Sequence, residues 1–142
     1  MARKASDAFC KAHERWTPSE KKLGEELCKD LLNIHVFFET EKKFQEGLAS
    51  CRMAVGCDEN SAYAWHKFGT HYSHLNKSEE ALAAFDKAIS LESKYASPWD
   101  GKGNVLYNLN KPDEALVAYD KAIELNPKYA SPWNGKAWLF PV

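Results

Sequence analysis

The chain has 142 residues, 44% hydrophobic and 13% aromatic, with 19 Lys and Arg against 20 Asp and Glu, for a net charge of −1. That is one domain's length with enough apolar mass for a core, and the balanced charge excludes the broad basic footprint of a nucleic-acid or anionic-membrane binder. No uninterrupted apolar run approaches the roughly 18–20 residues of a membrane-spanning helix. The cysteines are Cys10, Cys28, Cys51 and Cys57, and no apolar signal segment follows Met1-Ala2-Arg3-Lys4. Reduced thiols and a cytoplasmic location are therefore the expectation.

Residues 2–16 place Ala5, Phe9, Ala12 (or His13) and Trp16 at helical spacing, which predicts a short terminal helix. Thr17-Pro18-Ser19-Glu20 has the pattern of a capping box with proline at the first helical position, so a second helix should start there. Its stripe runs through Leu23, Leu27, Leu31, Ile34 and Phe38. After Glu41-Lys42-Lys43, a new stripe follows Phe44, Leu48, Cys51 and Val55, and Asp58 to Ser61 should stop one helix and start the next.

From Ala62 the chain repeats. Trp65, Trp99 and Trp133 are each 34 residues apart, and NKSEEALAAFDKAI over 76–89 returns as NKPDEALVAYDKAI over 110–123. Self-similarity at this period marks a stacked array of supersecondary units. In each unit the first helix carries its stripe on Trp65, Phe68, Gly69 and Tyr72 or their equivalents, and the second on Ala81, Leu82, Phe85, Ala88 and Ile89. Asn76 and Asn110 read as starts of the second helices, and Ser97 as the cap of the next first helix. Helices this short are marginal alone, so each must bury its stripe against its neighbours. No strand-like alternation occurs, and the fold class is all-α.

These residues resemble the tetratricopeptide repeat, whose pattern is W-x2-L-G-x2-Y, then A-x3-F, then P. Trp65, Phe68, Gly69, Tyr72, Ala81, Phe85 and Ala88 fit one copy, and Trp99, Gly103, Ala115, Tyr119, Ala122 and Pro127 fit the next. Lys102 and Lys136 stand where the pattern has Leu, and Lys102 is read as snorkelling its ammonium to the surface. The resemblance implies a short right-handed solenoid of antiparallel helix pairs, an α-α superhelix. It divides the chain into an N-terminal extension or cap (1–27), a degenerate helix pair (28–61), two full repeats (62–95 and 96–129) and a half-repeat helix (130–142).

The resemblance also implies a concave groove, lined by the first helix of each pair, that binds an extended peptide or helix of another protein. The groove-lining positions are Tyr63, His66, Lys67, Thr70, Ser73 and His74, then Ser97, Asp100, Gly101, Asn104, Tyr107 and Asn108, then Ser131, Asn134, Gly135 and Trp138. The family's carboxylate clamp calls for Lys and Asn followed by further basic residues. The corresponding positions are His66, Thr70, Ser97, Gly101, Ser131 and Gly135, and Asn104 alone fits part of the pattern, so no clamp is expected. The alternative is a scaffold that self-associates through the apolar final helix, on Trp133, Trp138 and Phe140, since arrays usually close with a polar cap.

Catalytic and metal sites are not expected. His66, His71 and His74 share a helix and Cys51 and Cys57 precede it, but no CxxC or HExxH spacing is present and the histidines read as surface or rim residues. Gly101-Lys102-Gly103 falls inside a helix, unlike a phosphate loop. Cys10 and His13 are neighbours on a terminal helix that can fray, and nothing catalytic is read there. The expectation is a non-catalytic protein-binding module without cofactor, nucleic acid or membrane.

Overall fold

The computed structural model describes residues 44–140 and the single residue Pro18, which is helical. The helix expected over 2–16 and the stripe from Leu23 to Phe38 lie outside the described residues. Six helices make up the described chain: α1 (Phe44–Cys57), α2 (Ala62–His74), α3 (Ser78–Leu91), α4 (Ala96–Asn108), α5 (Pro112–Leu125) and α6 (Ala130–Leu139). Helix α2 pairs with α3 and α4 with α5, while α2, α4 and α6 lie side by side. The result is a helical-repeat solenoid whose first helices form one wall.

Local chemistry sets the helix ends. Ser61 caps α2 by accepting from the amide of Ala64 at 3.2 Å. Pro112 begins α5 where a missing N–H costs nothing, and Asp113 and Glu114 complement the helix N-terminus. Asn76 and Asn110 do not start the second helices. Both take positive φ, 57° and 59°, two residues past His74 and Asn108, the last residues of the first helices. The amides of Asn76 and Lys77 donate to the carbonyls of Ser73 and Tyr72, and those of Asn110 and Lys111 to Tyr107 and Leu106. These asparagines terminate α2 and α4 in the left-handed conformation that Asn tolerates better than most side chains. Likewise Tyr95, not Ser97, is the N-cap of α4. Ser97 lies inside the first turn and borders the concave side.

Packing between units centres on two buried aromatics, each held between glycines of adjacent first helices. A Cβ built on Gly69 of α2 would lie 2.8 Å from the Phe85 ring, and one on Gly101 of α4 would lie 2.5 Å from it. Tyr119 stands in the same relation to Gly103 of α4 and Gly135 of α6, at 2.6 and 2.5 Å. Phe85 and Tyr119 are essentially fully buried. Expected as groove-lining positions, Gly101 and Gly135 let the next helix settle onto the ring of the preceding unit, and Gly101 also borders the concave face. Phe85 packs with Ala81 and Val105, and Tyr119 with Leu106, Ala115 and Ala118. A third cluster joins Leu48 and Cys51 of α1 to Phe68 and Ala84.

The lysines in the Leu positions have partners. Lys102 Nζ reaches Asp86 Oδ1 of α3 at 2.7 Å and lies 5.8 Å from the centre of the Trp99 ring. One repeat on, Lys136 Nζ reaches Asp120 Oδ1 of α5 at 2.6 Å. Each stem runs along the packing face and delivers its charge to the preceding second helix, as snorkelling requires.

His71 is buried, not a rim residue. It packs against Gly47 of the preceding helix α1, so closely that a Cβ there would overlap the ring. Its Nδ1 is 3.2 Å from the Lys67 carbonyl, and since a carbonyl only accepts, that nitrogen carries the proton.

Candidate functional site

The concave face has two contiguous chambers. The larger, about 500 Å³, lies between α2 and α4 and is bordered by His66, Lys67, Thr70, Ser73, His74 and Asn76 from the first unit. Ser97, Asp100, Gly101, Asn104, Asn108 and Tyr129 border it on the other side, with Phe85 at its base. The smaller, about 360 Å³, lies between α4 and α6 and is bordered by Asn104, Tyr107, Asn108, Ser131, Asn134 and Trp138. Asn104 and Asn108 border both, so an extended segment could pass from one to the other without leaving the wall.

Of the groove residues expected from the sequence, His66, Lys67, Thr70, His74, Ser97, Asp100, Asn104 and Asn108 surround the first chamber, and Tyr107 and Asn134 the second. Tyr63 borders neither; it is exposed beside the chamber, with the Lys67 ammonium 5.6 Å from its ring centre. Trp138, expected as a self-association residue, borders the second chamber with its ring 6.3 Å from that of Tyr107. Trp133 and Phe140 are exposed and border neither chamber.

The chamber walls are cross-linked by a tyrosine from each of the two connections that lead from one repeat to the next. Tyr95 Oη is 3.2 Å from His66 Nδ1, and one repeat on, Tyr129 Oη donates to Asp100 Oδ2 at 3.2 Å. Ser131 Oγ donates to the same oxygen at 2.7 Å. Sequence reasoning missed Tyr95 and Tyr129 because they lie outside the helical stripes. The signal was present in the twice-written Lys-Tyr-Ala-Ser-Pro-Trp over 94–99 and 128–133.

These bonds decide what each group still offers. Asn104 Oδ1 accepts from Tyr119 Oη at 2.7 Å, which aims its amide NH2 outward as a donor. Burial, reinforced by the neighbouring Lys67 charge, lowers the His66 pKa to about 4, so at neutral pH its ring is uncharged. Burial pushes Tyr95 and Tyr119 up to about 12, keeping both hydroxyls protonated. Burial also raises Asp100, against the stabilising hydrogen bonds from Ser131 and Tyr129. Asn108 is exposed, with no described hydrogen bond. Neutral donors and acceptors thus dominate the wall, with aromatic surface at one end.

Among the described residues, no three His, Cys, Asp or Glu side chains converge as a metal cluster would require. His71 faces α1 while His66 faces the chamber. No helix of the described residues is long and apolar enough to cross a membrane.

The architecture places the chain among helical-repeat proteins with a groove along their first helices. Residues 62–95 and 101–129 each match a tetratricopeptide-repeat family model. The chain is a tetratricopeptide-repeat protein. Among solved structures it is similar to the first TPR of Spaghetti (RPAP3) bound to the HSP90 peptide SRMEEVD, at 18% identity and a TM-score of 0.76, covering 81% of this chain and 91% of that one. It is similar to the Arabidopsis OM64 TPR domain at 14% identity and a TM-score of 0.77, covering 82% of this chain and 97% of the other. The second TPR domain of human RPAP3, in complex with the HSP70 peptide SGPTIEEVD, is 19% identical with a TM-score of 0.74, covering 84% and 97%. No curated protein matches the chain by sequence.

Proposed function

We propose that the protein is a non-catalytic interaction module whose concave groove holds an extended segment of a partner protein. The observation that supports this most is the pair of contiguous chambers sharing Asn104 and Asn108. Two of the similar solved domains hold peptides, SRMEEVD and SGPTIEEVD, on a comparable fold. Asn104 and Asn108 would bond the main chain of the segment, and Tyr107 and Trp138 would supply apolar contact. In this reading 62–95 and 96–129 are the full units, 130–142 opens a third, 28–61 supplies a degenerate pair, and 1–27 extends or caps the array.

The groove of this reading is not a carboxylate clamp. Both bound peptides above end in EEVD, whereas the wall here carries Asp100 and an uncharged His66 at equivalent positions of successive units. A carboxylate placed beside Asp100 would be repelled. Two assays test the function. Peptides selected from a random display library should lose binding on Tyr107→Ala with Asn108→Ala, both exposed and free of structural hydrogen bonds. An EEVD peptide should not bind. Binding unaffected by the double substitution would place the partner elsewhere.

The second reading, self-association through α6, is supported by the exposure of Trp133 at 50% and Phe140 at 60%. Sedimentation over a wide concentration range tests it, and a monomer throughout would exclude it.

A further inference from the structure

Asp100 is a carboxylate that the fold does not need. It is 5% exposed, and its Oδ2 is held by the hydroxyls of Ser131 and Tyr129. Its Oδ1 is buried and accepts no hydrogen bond. Both donors are neutral, and Asp100 takes part in none of the ion pairs among the described residues. Burying a charge without a counter-ion is costly, and packing does not require one at this position. One repeat earlier the same place is filled by His66, uncharged at neutral pH and bonded to Tyr95 as Asp100 is to Tyr129. An amide or an imidazole at residue 100 would keep the tyrosine bond without the charge.

Neither neighbouring lysine forms a described ion pair with Asp100. Lys102 extends to Asp86 on the packing side, and Lys67, which borders the chamber, has its ammonium 5.6 Å from the centre of the Tyr63 ring. The chamber bordering Asp100, about 500 Å³, has room for a long side chain and adds Thr70 and Asn108 as polar neighbours.

We propose that the groove selects a partner segment carrying an arginine or lysine, whose cationic head enters the larger chamber and pairs with Asp100. This rests on the groove being the binding site. A guanidinium or ammonium supplies the donor that Oδ1 lacks and the countercharge that the carboxylate lacks. Tyr129 and Ser131 act as positioning residues, holding the carboxylate against the wall so that binding need not order it.

The test is selection of short random peptides by display on the wild-type protein, followed by affinity measurement on the enriched peptides. The expected outcome is enrichment of Arg or Lys at one position. Replacing that arginine by citrulline should weaken binding about tenfold or more, and Asp100→Asn should weaken it by a similar factor. Combining the two changes should cost little beyond either alone, because they remove the same pair. Asp100→Asn keeps the side chain's shape and an acceptor for Ser131, and circular dichroism checks its fold. If the variant does not fold, the citrulline comparison on the wild-type chain still decides, and equal affinity overturns the pairing. Groove-binding peptides without a basic residue, or basic peptides indifferent to Asp100→Asn, overturn this inference and leave the groove intact. Binding that survives Tyr107→Ala with Asn108→Ala overturns the groove and the pairing together.

Discussion

Gly101 offers a test in which the sign of the effect decides between two roles. On a solvated groove face, Gly101→Ala should stabilise α4 by about 1 kcal/mol through helix propensity. In the structure the added Cβ would meet Phe85 at 2.5 Å from Cζ, 2.7 Å from Cε1 and 3.1 Å from Cε2. Ordinary carbon contact lies near 3.5–4 Å, so the ring must move by roughly 1 Å. It has little freedom to do so: Phe85 is 1% exposed, and Gly69 closes the other side with only 2.8 Å available to a Cβ. With the ring closed on both sides the cost falls in the upper part of the usual overpacking range, about 2–3 kcal/mol, which after the propensity gain leaves a net loss of about 1–2 kcal/mol. Urea titration followed by circular dichroism measures it, with Tm expected to fall by several degrees. Combining Gly101→Ala with Phe85→Leu should be less destabilising than the sum of the two single changes. A Gly101→Ala variant as stable as the wild type, or more so, would refute the glycine–ring–glycine account of how units stack.

Tyr119→Phe keeps the buried ring and removes the bond to Asn104, so it should cost about 1 kcal/mol in the same titration. Lys102→Met should change stability by less than about 1 kcal/mol, because the Asp86 pair is partly exposed while the stem's packing is retained. The His66 pKa, lowered to about 4 from 6.5, makes a signed pH prediction. The unfolded chain binds this proton more readily, so His66 contributes stability above pH 6.5 that is lost as pH falls toward 4, at most roughly 3 kcal/mol. The raised Asp100 acts in the opposite direction over the acid range, so wild type must be compared with His66→Gln across pH. Equal slopes between pH 6.5 and 4 would contradict the burial of a neutral ring.

The fold was legible because packing residues recur with the architecture. Trp65, Trp99 and Trp133 give the period, and the small residues at 69, 103, 81 and 115 give the close approach of helix axes. The helix boundaries were harder to read because one residue type serves two purposes. Asn76 and Asn110 have the composition of an N-cap, but only the backbone shows that their φ is positive and that they end the preceding helix. Gly101 and Gly135 fall between the packing and solvent stripes, and nothing short of Phe85 and Tyr119 beside them distinguishes the two faces.

The groove was legible as a set of positions but not as chemistry. Counting along the helix placed Asp100 and Asn104 on the concave side. It could not show that Tyr129 and Ser131, from the next unit, would bury the first, or that Tyr119 would fix the second's amide. Those contacts join residues 15 to 31 positions apart, beyond the reach of helical periodicity. They turn a polar surface into one with a preferred direction of hydrogen bonding.

The most direct test of the central claim is amide chemical-shift mapping with a display-selected peptide added to the isotopically labelled protein. Binding in the groove predicts perturbations concentrated at Thr70, Asp100, Asn104, Asn108 and Ser131, which border the two chambers. Perturbations confined to Val117, Trp133 and Phe140, exposed residues that border neither chamber, would contradict it.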